Sequence, residues 1–413
     1  MTNLHPHSLG ARAWTRLEAL RLFTDEPGKI TRLYLSPSYR KAVDATVTMM
    51  REAGCDTVHV DALGTVIGRY EGQRPGLPAL LIGSHIDTVV DGGAYDGAFG
   101  VIAGIGVIEA LHERGERLDF AIEVLAFGDE ENVRFPTSLS SSRALAGTLP
   151  TSMLDAKDQD GITLDEALTA CGFEPKAVHG LKRDPAAVIG YVELHIEQGP
   201  VLEAERLPVG IVTAINGATR WALTVTGEPG HAGTVPMALR KDALTAASEM
   251  ALAIERVGRL HQEVVATVGR FQAYPGAVNV IPGEVRFTLD TRSPDDAVRV
   301  TVTNEIEAAC HKIARERGVV VRIDPLSSAK ATPMAPAFIA GLQEAVSRHQ
   351  IAPRLLPSGA GHDAMAMADL CPAGMLFVRC KGGISHSPLE SMTAEDADIA
   401  IGILLDFVRN FKA

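Results

Sequence analysis

The sequence predicts an α/β protein with two parts. The larger is a domain on a mixed, largely parallel sheet flanked by helices, and a smaller ferredoxin-like domain is inserted into it. Three observations carry this prediction. Short apolar runs alternate with helical patterns over residues 57–127. Residues 221–323 then follow the order βαββαβ, a unit that can fold on its own. Helical and buried-strand patterns return beyond Ala335, so the first domain resumes and finishes the chain. The expected division is 1–213 with 330–413 for the larger domain and 214–329 for the insert.

Taken in order, residues 14–22 and 38–53 carry apolar positions at helical spacing. Residues 57–60, 66–69, 79–83 and 120–127 are short apolar runs bounded by Gly and Pro. They read as strands, the last two buried. Residues 98–114 read as a helix whose Gly104 and Gly106 permit close packing, and another strand lies near Val192. In the insert, residues 221–225, 264–271, 285–292 and 319–323 read as strands, and 240–256 and 294–317 as helices. The second helix opens on Asp295 and Asp296 and ends on Lys312, Arg315 and Arg317, a charge order that matches the helix dipole. Residues 337–348 and 394–408 read as helices and 373–378 as a buried strand.

Composition bounds the function. One core rarely grows past about 250–300 residues, so 413 residues imply two domains. Lys and Arg total 39 against 51 Asp and Glu, a net charge of −12, which makes a poor partner for nucleic acid or an anionic membrane. Five scattered cysteines without a C-x-x-C argue against disulfides and a zinc ribbon. No secretory signal is visible at the start, and the apolar stretch 99–111 is too short to span a bilayer. A soluble, cytoplasmic setting is expected. There is no H-E-x-x-H, no G-x-S-x-G and no phosphate loop, and Gly104-Ile105-Gly106 lacks the third glycine of a dinucleotide fingerprint.

The chemistry sits just past the buried strands. Residues 79–83 run into Ser84-His85-Ile86-Asp87, and Asp96-Gly97 opens the glycine-containing helix. Residues 120–127 run into Asp129-Glu130-Glu131, and the strand near Val192 into His195-Ile196-Glu197-Gln198. His386 follows the late apolar strand. In α/β sheets, ligands gather at the carboxyl ends of strands. A lone histidine or an acidic pair is usually structural. Here acids and imidazoles recur where unpaired charge is expensive, and that donor set suits zinc or manganese. His5, His7, His59, His112, His179, His261, His311 and His349 have no partner at ligand spacing.

The stretches GSHIDTVVDGGAYDG, HIEQGPVLE, GHAGTVPM, NVIPG, SGAGHDA and GGISHSP resemble the M20 metallopeptidase/amidohydrolase family. Within it they look like the branch of N-carbamoyl-L-amino acid hydrolases, allantoate amidohydrolases and β-ureidopropionases. The resemblance implies two divalent ions per subunit, zinc or manganese, with cobalt or nickel as substitutes. His85 and Glu131 would sit on different ions, Asp96 would bridge them, and His195 and His386 would complete the set. Asp87 would hold the imidazole of His85, and Glu130 would be the general base, with Asp129 as its nearest rival. His231 would stabilise the oxyanion, Asn279 and Arg292 would hold a substrate carboxylate, and Gln198 and His362 would line the carbamoyl end. It further implies a small-molecule carboxylate substrate, and a homodimer through the inserted domain in which His231 serves the neighbouring subunit. A dipeptidase or aminoacylase, or a non-catalytic protein on the same fold, are the alternatives. Asn132 and Ser387 depart from the commoner glycine and asparagine beside this site.

Overall fold

The computed structural model describes residues 8–412, so His5 and His7 lie outside the described residues. The chain forms two compact units. One comprises the chain up to Thr213, Met334–Leu356 and the chain from Gly361 onward; the other comprises Ala214–Pro333 and Pro357–Ala360.

In the first unit the spatial order of strands is Thr57–Val60, Val66–Tyr70, Ala121–Phe127, Ala79–His85, Val188–Ile196, Ala373–Val378 and Val209–Ile215. The four central strands, from Ala121–Phe127 to Ala373–Val378, run parallel, and the outer pairings are antiparallel. The sheet is therefore mixed with a parallel centre, as the alternation of strands and helices predicts. Central strands buried on both faces are near-continuous apolar runs, and Ala79–His85 and Ala121–Phe127 are buried at every position, with Ser84, His85 and Glu123 as their polar members. Helix Ala98–Glu113 lies close against them. A Cβ on Gly100 would stand 2.2 Å from the Leu194 carbonyl oxygen, so only glycine allows this approach.

The element edges show what periodicity does not carry. The first helix runs Leu9–Arg21, five residues earlier than its apolar spacing suggests, because the Ser8 hydroxyl accepts from the Ala11 amide and starts it there. Helix Leu164–Ala170 begins with a capping box between Thr163 and Glu166, a signal present in the sequence beside too short an apolar run.

The second unit is a four-stranded antiparallel sheet in the order Val320–Ala329, Gly217–Thr226, Glu284–Ser293, Val265–Tyr274, with helices Ala243–Leu260 and Asp296–Arg317. Val285, Phe287 and Leu289 alternate into a core with Leu223, Met250 and Ile306. Arg286, Thr288, Asp290 and Arg292 fall on the opposite face. Among the described residues no helix is long and apolar enough to cross a membrane.

One buried charge braces the first sheet. Glu123, on a central strand, accepts from Arg69 at 2.9 Å and Arg183 at 2.6 Å. Glu123→Ala takes the carboxylate from Arg183 and leaves Arg69 with Glu71 and the Leu77 carbonyl. It should lower unfolding stability by on the order of 3 kcal/mol, read as a shift in denaturant midpoint. An unchanged midpoint would show that the arginines turn to solvent at no cost.

Candidate active site and metal centre

The parallel strands of the first unit deliver their C-terminal residues to one edge. His85 ends its strand, Glu130 and Glu131 follow Ala121–Phe127, and His195 lies at the end of Val188–Ile196. Asp96 arrives from the turn before helix Ala98–Glu113. That turn depends on Gly97: its φ is +65°, and a Cβ there would lie 2.4 Å from the His85 ring.

Asp96 is the centre of the array. Its Oδ1 lies 3.1 Å from His195 Nε2 and 3.5 Å from His85 Nε2, and its Oδ2 lies 3.4 Å from His386 Nε2. Glu131 Oε2 stands 3.4 Å from the same His386 nitrogen. Two sets of ligand atoms follow, His85–Asp96–His195 and Asp96–Glu131–His386, each with its atoms within 4.8 Å of one another. They share Asp96. Glu130 lies beside the first set, with Oε2 4.0 Å from His85 Nε2, and it forms a further cluster with His85 and Glu131.

Hydrogen bonds orient the rings. His85 Nδ1 lies 3.0 Å from the Asp87 carbonyl oxygen, and His195 Nδ1 lies 2.9 Å from that of Ile196. These contacts turn each Nε2 toward Asp96. The Asp87 carboxylate was expected to hold His85, but its Oδ1 stands 3.7 Å away, and the main-chain carbonyl makes the contact. The carboxylate instead accepts the amides of Glu130 and Glu131, at 3.4 and 3.3 Å, and so fixes the turn carrying both acids. Asp129 turns the other way. It accepts from Thr137 and Ser140, and burial pushes its carboxyl up to about 7.

The electrostatics call for cations. Burial pushes Glu130 well above the usual carboxylate range, and burial and Asp96 push Glu131 up to about 8. Burial opposes the charge of Asp96, but His195 and His85 hold it well below its ordinary value. Glu131 Oε1 is buried with no hydrogen-bond partner. An orphaned carboxylate oxygen, and imidazole nitrogens facing carboxylate oxygens at 3.1–3.5 Å, fit divalent metal ions.

The remaining predicted residues fall into two groups. In the first unit, Gln198 Nε2 donates to Asp96 Oδ2 at 2.8 Å, and the buried His362 ring lies 4.5 Å from that of His195. In the second unit, His231 and Asn279 are exposed neighbours on a two-stranded ribbon, where the Ala232 amide donates to the Asn279 carbonyl. Arg292 sits on the open face of the four-stranded sheet.

Some functional residues escape the sequence. Glu390 accepts from the amides of Tyr95 and Asp96, at 2.8 and 3.1 Å, and so holds the turn that presents Asp96; burial and Asp96 raise it to about 7. Ser385 lies 2.7 Å from Asp96 and 3.0 Å from Glu390. Arg32, only 2% exposed, donates to the carbonyls of Ile86, Leu20 and Phe23, which places a buried cation behind the His85–Asp87 turn. The signal for Glu390 is faint: an acid four residues past His386 in a segment without periodicity.

An α/β unit that gathers histidines and carboxylates around a shared aspartate, with a further glutamate at hand, defines a metal-dependent hydrolase. The chain belongs to peptidase family M20/M25/M40, whose model matches residues 81–410. It is 42% identical over 396 residues to an N-carbamoyl-L-amino acid amidohydrolase of Geobacillus stearothermophilus, covering 96% of this chain and 97% of the relative. It is 39% identical to an allantoate deiminase of Arabidopsis thaliana, covering 99% and 83%. Among solved structures, a hydantoinase/carbamoylase family amidase from Burkholderia multivorans superposes with a TM-score of 0.91 at 36% identity, covering 96% of each chain.

The grip of Glu390 on the Asp96 turn can be tested by substitution. Glu390→Ala should weaken metal binding about 10–100-fold while the fold is retained, measured by competition with a coloured chelator. Unchanged affinity would show that the turn holds its shape unaided.

Proposed function

We propose that the protein hydrolyses the carbamoyl C–N bond of small N-carbamoyl carboxylates, an N-carbamoyl-L-amino acid or allantoate. Water converts R–NH–CO–NH2 to R–NH2, carbon dioxide and ammonia. The observation that carries this reading is the half-buried Glu130 beside two ligand sets that share Asp96. Relatives that match nearly the whole chain and are named for ureido substrates support it.

In this reading His85, Asp96 and His195 would hold one ion and Asp96, Glu131 and His386 the other, zinc or manganese, with cobalt or nickel as substitutes. Bound there, the ions would polarise the scissile carbonyl and ease ionisation of water. Glu130 takes the proton of the attacking water and returns it to the leaving nitrogen; burial raises its proton affinity toward the value such a shuttle needs. Asp87 keeps Glu130 in place through its amide. Gln198 and His362 line the carbamoyl end. Arg292 and Asn279 hold the carboxylate, and the planar guanidinium matches its two oxygens. The first unit is the catalytic domain and the second a lid through which a homodimer forms, in a cytoplasmic setting. His231 is supplied across that dimer to the developing oxyanion.

Glu130→Gln keeps the shape and removes the base. Ammonia release from N-carbamoyl-L-amino acids or allantoate should fall by at least about 10²–10⁴ in kcat with metal content unchanged. Faster cleavage of dipeptides than of ureido compounds by the wild type would favour the peptidase alternative. The dimer makes a separate prediction. His231→Ala should cost about 10²–10³ in kcat, and mixing it with Glu130→Ala should recover much of the lost activity, because one site of a mixed dimer is complete. Demonstrated heterodimers without recovery would place His231 outside the partner's site.

A further inference from the structure

We infer that Asp290, with the main-chain carbonyl of Gly359, presets Arg292 for a substrate carboxylate, and that Arg220 in turn fixes Asp290. The inference rests on the carboxylate-binding role given to Arg292 above. It concerns how that role is achieved. All four residues lie in the second unit, around a cavity of about 660 Å³ on the open face of its sheet.

The register explains the grouping. Asp290 and Arg292 are two residues apart on strand Glu284–Ser293, so both side chains leave the same face. Arg220 is the direct cross-strand partner of Asp290. The contacts are specific. Arg292 Nε donates to Asp290 Oδ1 at 2.9 Å, Nη2 donates to Oδ2 at 3.0 Å, and Nη1 donates to the Gly359 carbonyl at 2.6 Å. A guanidinium has five N–H donors. These contacts use three and leave one N–H on each terminal nitrogen, the number a carboxylate takes in a two-bond contact. Arg220 Nε donates to Asp290 Oδ2 at 2.8 Å, so the pull of Arg292 on Asp290 is opposed from the neighbouring strand.

The charge count points the same way. Two guanidinium groups around one carboxylate leave a net positive charge over the cavity, which an incoming carboxylate completes. Burial works against the charge of Asp290, but Arg292 and Arg220 outweigh it and hold the carboxyl below its ordinary range, so it stays ionised at neutral pH. A long side chain fixed in its binding posture before the ligand arrives loses less freedom on binding. Asp290 touches no reacting atom in this account. It is a positioning residue.

The test compares N-carbamoyl-L-methionine with its carboxamide, using the full-length protein. Asp290→Asn should raise KM for the carboxylate about tenfold, change kcat less than threefold, and leave the carboxamide unaffected. Arg220→Gln should shift KM the same way by less. A lower KM in Asp290→Asn would make Asp290 a competitor for Arg292. An unchanged KM, or equal losses on both compounds, would equally overturn the inference. The Arg292 Nε–H signal, observed by NMR without turnover, gives an independent reading: slow exchange in the wild type and fast exchange in Asp290→Asn. Should the wild type hydrolyse no ureido compound, the proposed reaction fails, and the NMR comparison alone decides the role of Asp290.

Discussion

The structure depends on one unfavourable fact: several carboxylates are buried together at the edge of the parallel sheet. Asp87, Asp96, Glu193 and Asp363 are almost wholly inaccessible, and Glu131 and Glu390 crowd the same carboxylate, Asp96. Like charges at this range in a low-dielectric setting repel strongly, and each loses hydration. The surrounding chain is arranged to offset that cost. Asp87 and Glu390 take main-chain amides, Asp129 takes two hydroxyls, and Glu193 takes Ser84, Tyr191 and the Ala364 amide. What these contacts leave over is concentrated on Asp96, Glu130 and Glu131, where imidazoles converge.

The two units divide the work differently. In the first, position is set by strand ends and by close approaches that only glycine permits, as at Gly97 and Gly100, so His85, Asp96 and His195 are held on or beside buried elements, while His386 comes from an exposed bend. In the second, the residues proposed to meet substrate lie on a sheet face and a short ribbon. The posture of Arg292 there comes from Asp290 and the Gly359 carbonyl rather than from burial.

Much of this was legible in the sequence, and what was not had a common cause. Strands Thr57–Val60 and Ala373–Val378 begin and end where the apolar runs do, because those runs are bounded by turn residues. The βαββαβ order survives in the second unit, yet strand Val320–Ala329 outruns its apolar segment, since its far end pairs through polar residues. Residues 140–187 carry short helices that periodicity does not reveal. In the site, acids and histidines past buried strands can be seen without a structure. Whether Asp87 reaches His85 by carboxylate or carbonyl cannot, because it depends on how the turn bends. Glu390 and Arg32 act on segments distant in sequence, and only folding brings them there.

The array around Asp96 is proposed to hold two cations through one shared carboxylate. Metal content per chain, measured by elemental analysis after equilibration with zinc or manganese, tests it most directly on the wild type and Asp96→Asn. Two ions per wild-type chain, with loss of both or all but one in the variant, are predicted. A single ion in the wild type, or two ions retained without the Asp96 carboxylate, would contradict it.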